Sequence, residues 1–383
     1  MAHRLFSDRD DGFARFYCDT KILTCRDAEQ AREKSATILV DIEQVQNVLI
    51  LTDEGVSQTR FYAEVCPHGL NITVAKLGYE SNIAPMQAAI DTAQEHKCQA
   101  ILAIGGGSVL DSAKLIAATL GSGTPLEGLR DTNVLARPAL PLICIPTTFG
   151  TGSECNMYGH LTTPDAKIGL RKAWLTPKYA VLVGTPALEL SSEQRYLTGL
   201  DAWSHAFEAL TVKRERSAFS DALLRTALDL HKTHFKAFVE SPTPDNALAI
   251  ATASAMAGIG LNNARTGVIH TLAVAFAAHF KKPHTQAIVP FIEPAIRYNW
   301  AGIADQFSTD DVDTFIADLR EHTLFGAHDV MSQWAMHVSA EDIAAVTHAA
   351  ESDTVLIKEN PCDITSQDIS HLFQSSLKPW MTP

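Results

Sequence analysis

Asp201-Ala-Trp-Ser-His205 sets a carboxylate and an imidazole four residues apart. On a helix these share one face, and both side chains reach a single ion. The same spacing also describes a surface pair, or a histidine bonded inside a core. His270 and His284 follow, fourteen residues apart, the first in an apolar helical pattern and the second just after Pro283, in the opening turn of the next helix. Taken alone, each reads as a satisfied core or surface histidine. Together, neutral imidazoles and one carboxylate suit a divalent ion of intermediate softness, Fe2+ or Zn2+. His160, His231, His234 and His279 show no such partner in the sequence, and His279 reads as solvated or packing.

A second chemistry is written in small residues. Gly105, Gly106 and Gly107 close an apolar run and lead into Ser108, where a helical pattern opens. Glycines let the chain turn sharply and let a ligand approach the backbone, and the N–H groups of a helix start suit a phosphate. The stretch is not G-x-G-x-x-G, and the same turn also serves as a bare strand-to-helix junction. Asp53 stands just past another apolar run. There a carboxylate accepts from ribose hydroxyls and repels a 2′-phosphate, favouring NAD over NADP, although alone it reads as a turn-forming residue. Pro146 to Glu154 gathers Thr147, Thr148, Thr151 and Ser153. These hydroxyls either hold a diphosphate and a nicotinamide amide or make an ordinary surface loop. Two such loops at strand ends of one sheet are what a dinucleotide crevice requires. Lys167 either neutralises phosphate or is solvated.

The elements that must position these groups change character along the chain. Apolar runs at 48–51, 71–75, 100–104 and 140–145 read as strands, with helices over 83–95 and 108–120 between them. Buried strands alternating with helices predict a parallel sheet. Beyond about residue 190 helical patterns dominate, at 199–213, 217–239, 246–262, 267–280, 310–324, 340–352 and 366–375. The expected architecture is α/β followed by all-α, a nucleotide-binding domain over 1–186 and a helical metal-binding domain over 187–383.

Composition narrows the partners. The 383 residues carry 31 Lys and Arg against 44 Asp and Glu, a net charge of −13, which disfavours nucleic acid. Hydrophobic residues make up 46%, which excludes disorder as the main state. No apolar stretch approaches the roughly 20 residues of a membrane span. The first sixteen residues carry acids and lack an apolar core, so they do not read as a secretory signal. Seven scattered cysteines without a C-x-x-C pair suggest reduced thiols and a cytoplasmic protein.

Four segments, Gly105 to Lys114, Pro146 to Glu154, Thr198 to Glu208, and Gly267 to His270 through Pro283-His284, resemble in order and separation the iron-containing, or group III, alcohol dehydrogenase family from about residue 46 onward. The resemblance implies a cleft between the two domains and metal ligation by Asp201, His205, His270 and His284. It implies NAD contacts by Asp53, Gly106, Gly107, Ser108, Asp111, Thr147, Thr148, Thr151 and Lys167. It also implies a homodimer. Three departures stand out. Family members commonly carry a histidine four residues after the third ligand, beside the substrate, and here that residue is Val274. An Asp common before Pro186 is Thr185, and the first 45 residues match poorly. Arg265, one turn before the metal helix, suits an anionic substrate group, its plainer reading being a salt bridge or helix-entry residue.

The implied reaction is reversible hydride transfer between NAD(H) and a small primary alcohol or aldehyde, with the ion as Lewis acid. Because the two sites fall in different halves of the sequence, metal loss is expected to cost much of the rate and leave NAD binding largely intact. Two alternatives remain. One is a lyase of the dehydroquinate synthase type using NAD transiently, against which the Asp-x-x-x-His pair and the lack of a lysine-rich phosphate pocket weigh. The other, raised by Val274, is a decayed NAD-binding protein without activity, against which retention of all four implied ligands weighs.

Overall fold

The computed structural model describes residues 16–78, 80–162, 167–213, 216–321 and 337–378. Strand β1 is Lys21–Cys25, followed by helix α1, Ala28–Thr37. Strand β2, Asn47–Asp53, leads into two short helices, α2 (Glu54–Ser57) and α3 (Arg60–Val65). Then come β3 (Asn71–Leu77), α4 (Ile83–Glu95), β4 (Ala100–Gly105), α5 (Gly107–Ser122) and β5 (Leu142–Pro146). A hairpin of β6 (Tyr158–Thr162) and β7 (Lys167–Arg171) precedes β8, Tyr179–Val183. Six strands form one sheet in the order β1-β8-β5-β4-β2-β3, all parallel.

The apolar runs explain why this sheet is buried on both faces. Successive side chains of a strand point to opposite sides. Leu49, Leu51, Ile101, Ala103, Leu142 and Cys144 enter one core, under α4 and α5. Their neighbours Val48, Ile50, Leu102, Ile104, Ile143 and Ile145 enter another, under α1 and α3. Strands with apolar residues at every position therefore need a helix layer on each side. The sequence reading places β2, β3, β4 and β5 within two or three residues of their observed bounds. It omits β1, β8 and the β6–β7 hairpin.

After a single helical turn at Thr185–Glu189 the described residues are mainly helical: α6 (Ser192–Thr211), α7 (Ala218–Glu240), α8 (Pro244–Asn263), α9 (Val268–Phe280) and α10 (His284–Ile303). Next come α11 (Thr309–Glu321), α12 (Ala340–Glu351), α13 (Thr354–Glu359) and α14 (Ser366–Leu377). The part of the expected 310–324 helix beyond 321 lies outside the described residues. Capping boxes at Ser191/Gln194 and Thr243/Asn246 start α6 and α8. Helix α6 is buried along most of its length and runs through the largest core, with Phe276, Phe291 and Phe373 packing edge to face nearby. Among the described residues no single helix is long and apolar enough to cross a membrane; α8 and α9 reach that composition only as a pair bent by 98°. All seven cysteines are free thiols.

The C-terminal segment is held to α10 by a reciprocal amide pair. Asn299 Nδ2 donates to Asn360 Oδ1 at 2.9 Å, and Asn360 Nδ2 donates to Asn299 Oδ1 at 2.7 Å. Both side chains are buried. Replacing Asn360 alone by Leu should cost ~1–3 kcal/mol, because it leaves a buried amide unpaired. The double change of Asn299 and Asn360 to Leu should cost less than the sum of the single changes, as read from urea unfolding of the three variants.

Candidate active site

Asp201, His205 and Glu208 occur on α6 at positions i, i+4 and i+7, which is one stripe of a helix. His270 lies in the first turn of α9, and His284 is the first residue of α10. One ligand atom each from Asp201, His270 and His284 lies within 4.8 Å of the other two. His205 stands beside this group. Its ring stacks on that of His270 with centroids 4.3 Å apart, and its Nδ1 is 3.7 Å from Asp201 Oδ1 and 3.1 Å from the Gly150 carbonyl oxygen.

Glu208 fixes the orientation of His270. Its Oε2 accepts from His270 Nδ1 at 2.6 Å, and its Oε1 accepts from the Ile269 N–H at 2.6 Å. A carboxylate on one ring nitrogen sets the tautomer and leaves the other nitrogen as a donor of its lone pair. That other nitrogen, Nε2, stops 3.6 Å from Asp201 Oδ1, too far for a hydrogen bond. Both Asp201 oxygens and His270 Nε2 are buried with no hydrogen-bond partner. An orphaned buried carboxylate is costly unless a cation compensates it. One carboxylate and several imidazoles are the donor set of Fe2+ or Zn2+, so the residues present fit such an ion.

With no ion bound, the charged groups of the site answer one another. Burial raises the Asp201 carboxyl, but the His205, His270 and His284 imidazoles outweigh it and hold Asp201 at about 2. Burial pushes His205 down to about 4. Burial also opposes charge on His270, yet the Asp201 and Glu208 carboxylates outweigh it and lift that imidazole to about 9, so without an ion the ring keeps a proton that a bound cation would displace from Nε2.

The nucleotide-side residues gather at the C-terminal edge of the sheet. The chain runs from β2 outward to β3 and then crosses back to β4 on the other side of β2, so the strand order reverses between β2 and β4. Ligands of open α/β sheets bind outside such a reversal. Asp53 ends β2 and Gly105 ends β4. Gly106 is the N-cap of α5, and no side chain caps that helix start. Gly107 and Ser108 form its first turn. A Cβ on Gly107 would stand 2.6 Å from Thr151 Cγ2, and one on Gly106 would stand 3.0 Å from Thr148 Oγ1. The glycine turn and the threonine loop are therefore in contact. Thr147 donates its N–H to the Gly105 carbonyl at 3.0 Å.

Other residues behave differently from a simple cofactor contact. Asp53 Oδ1 accepts from Val56 N at 2.8 Å and caps α2. Asp111 is buried, with Oδ1 accepting from Ser153 Oγ and Oδ2 2.7 Å from His160 Nδ1. Lys114, buried nearby, donates to Asn156 Oδ1 at 2.9 Å and to the Tyr158 carbonyl at 2.7 Å. His160 thus has a carboxylate partner invisible in the sequence, and His279 has another in Asp342, at 2.7 Å. His231 is buried, 3.1 Å from the Gly199 carbonyl. The Lys167 side chain lies outside the described residues, although its backbone begins β7. Arg265 sits between α8 and α9 with φ +119°, and Val274, one turn after His270, is 55% exposed.

Sequence reasoning misses Glu208 and Gly150. Glu208 is detectable, since it continues the stripe of Asp201 and His205 by one further turn. Gly150 acts through its carbonyl, and no residue type announces that.

Two family models match the chain: one described as iron-containing alcohol dehydrogenase, over residues 27–183, and one as the C-terminal part of the Fe-containing alcohol dehydrogenase family, over residues 196–377. The NAD-dependent methanol dehydrogenase of Bacillus methanolicus is 26% identical over 358 residues, 87% of this chain and 92% of that protein. The sulfoacetaldehyde reductase of Bilophila wadsworthia is 26% identical over 324 residues, 79% of this chain and 83% of that protein. The solved iron-containing alcohol dehydrogenase of Thermococcus thioreducens has the same fold, with a TM-score of 0.79 at 21% identity, covering 95% of this chain and all (100%) of that one.

Changing Glu208 to Gln keeps the shape and removes the charge behind His270. Zn2+ affinity, measured by chelator competition, should fall about 10–100-fold. Unchanged affinity would show that Glu208 serves packing alone.

Proposed function

The chain belongs to the iron-containing alcohol dehydrogenase family, and from that premise we propose that it interconverts a small primary alcohol and its aldehyde with NAD(H), using Fe2+ or Zn2+ held by Asp201, His205, His270 and His284. The observation that carries this reading is the set of buried polar atoms without hydrogen-bond partners, Asp201 Oδ1, Asp201 Oδ2 and His270 Nε2, grouped with His284. When bound, the ion supplies Lewis acidity to the substrate oxygen and the nicotinamide supplies the carbon that exchanges hydride.

The chain's own residues do the rest. Glu208 keeps the His270 lone pair directed away from the α9 backbone, and the Gly150 carbonyl does the equivalent for His205. The uncapped N–H groups of Gly107 and Ser108 bind diphosphate, helped by the α5 dipole. Thr147, Thr148 and Thr151 line the facing loop. Asp53 accepts from ribose hydroxyls with the carboxylate that caps α2, and Lys167 neutralises phosphate. Asp111 contributes indirectly, since its oxygens order the loop through Ser153 and the hairpin through His160. Val274 carries no proton, so the alcohol proton leaves through water or a ribose hydroxyl. Separate domains over 1–186 and 187–383, joined at the Thr185–Glu189 turn, belong to the same reading. So does a cytoplasmic location, supported by the free thiols, and a homodimer, supported by the family.

Arg265 extends the reading to anionic substrates. A non-glycine residue at φ +119° stores strain, which tends to persist at functional positions. The sulfoacetaldehyde reductase among the relatives is named for an aldehyde bearing a sulfonate.

Three experiments test the function. Chelator-stripped protein should lose most alcohol-dependent NADH formation and regain it with Fe2+ or Zn2+. Equal rates with and without metal would refute the Lewis-acid role, and turnover without net NADH would indicate the lyase chemistry instead. NAD should be preferred to NADP, with Asp53→Ser narrowing the preference. Arg265→Gly should raise KM for sulfonated or carboxylated aldehydes by about ten-fold, the worth of one charge-assisted hydrogen bond, and leave KM for neutral aldehydes unchanged.

A further inference from the structure

Residues 150–153 form a continuous bridge between the two sites. The Gly150 carbonyl lies 3.1 Å from His205 Nδ1, and a Cβ on Gly150 would stand 2.9 Å from Asp201 Oδ2. The methyl of Thr151 fills the space left by the missing side chain of Gly107. Gly152, at φ +57°, packs backbone to backbone on α8, where its Cβ would stand 2.6 Å from the Gly258 Cα. Ser153 donates to Asp111 of α5. Each of these four residues is thus braced against a different partner, and the loop has no slack to move at one end alone.

His205 supplies the alternative states. Its Nδ1 is within hydrogen-bond reach of the Gly150 carbonyl, at 3.1 Å, while Asp201 Oδ1, at 3.7 Å, lies beyond hydrogen-bond reach but close enough to attract the same proton electrostatically. While the Asp201 charge is uncompensated it competes for that proton. Once a cation takes up the Asp201 charge, the proton is left to Gly150, and the loop gains a fixed anchor.

We propose that Gly150 is a positioning residue that couples ion binding to nucleotide binding, so that occupancy of either site raises affinity at the other. This rests on the reading above of both sites. It reverses the expectation from sequence that metal loss leaves nucleotide binding intact. Coupling through a shared element is reciprocal, with the same factor seen from either side.

The test uses ADP-ribose, which carries the diphosphate and both riboses but no nicotinamide, so direct contact between ring and ion plays no part. Calorimetric titration of metal-free and Zn2+-loaded protein should show ADP-ribose binding roughly five-fold or more tighter to the loaded form, with Zn2+ affinity raised by the same factor when ADP-ribose is present. Thr151→Ser, which removes the methyl against Gly107 and keeps the hydroxyl, should reduce that factor while leaving Zn2+ affinity without nucleotide unchanged. Gly150→Ala should weaken Zn2+ binding and abolish the coupling. ADP-ribose binding that is equal or weaker in the loaded form overturns the coupling and leaves the two sites standing. Absence of ADP-ribose binding to either form overturns the nucleotide reading, and the coupling with it.

Discussion

Two carboxylates, Asp201 and Glu208, are buried in the helical half within reach of histidine rings, and the rest of the site follows from how their charge is answered. Glu208 is satisfied locally, by the ring and backbone N–H groups at the start of α9. Asp201 is not, and its two oxygens are the least satisfied acceptors of the stripe. Leaving a charge in that state is expensive in a low-dielectric interior. The ordering of α6, α9 and α10 around one point is therefore intelligible as the construction of a cation site. Packing alone asks for no such convergence of polar groups.

Much of this is legible in the order of the amino acids. Val48 to Leu51 and Ala100 to Ile104 are apolar at every position, and only a strand covered on both faces makes sense of that. The Asp201–His205 spacing announces a shared helix face. Other parts are hidden for physical reasons. β1 contains Lys21, Thr24 and a half-exposed Ile22, because an edge strand has one neighbour and need not be apolar throughout. The hairpin of β6 and β7 has polar residues at alternate positions and lies outside the main sheet. Helix α10 contains Pro290 and Pro294, which break the helical pattern in sequence but are tolerated in a helix held by tertiary packing. Partners distant in sequence, such as His160 for Asp111, depend on the fold itself.

The sheet order explains why a fingerprint other than G-x-G-x-x-G suffices. A crevice is created by the reversal between β2 and β4, whatever the loop that follows. What the loop must supply is a close backbone and a helix start, and Gly106 and Gly107 supply both. The threonine loop after β5 then closes the crevice from the side, held in place from beneath by the buried Lys114 and its two acceptors. In the proposed reading, nucleotide and ion meet on this loop, which touches both the sheet and the helices α6 and α8.

That loop has a corollary for substitution. A stretch in which Gly150 abuts α6, Thr151 and Ser153 abut α5, and Gly152 abuts α8 has no room for insertions, and almost none for larger side chains. Substitutions that reshape the pocket are better tolerated elsewhere, at positions whose side chains are less confined. Val274, more than half exposed on α9, is such a position. His270, buried between Asp201 and Glu208, and Val274, open to solvent, are thus separated by a single helical turn of α9.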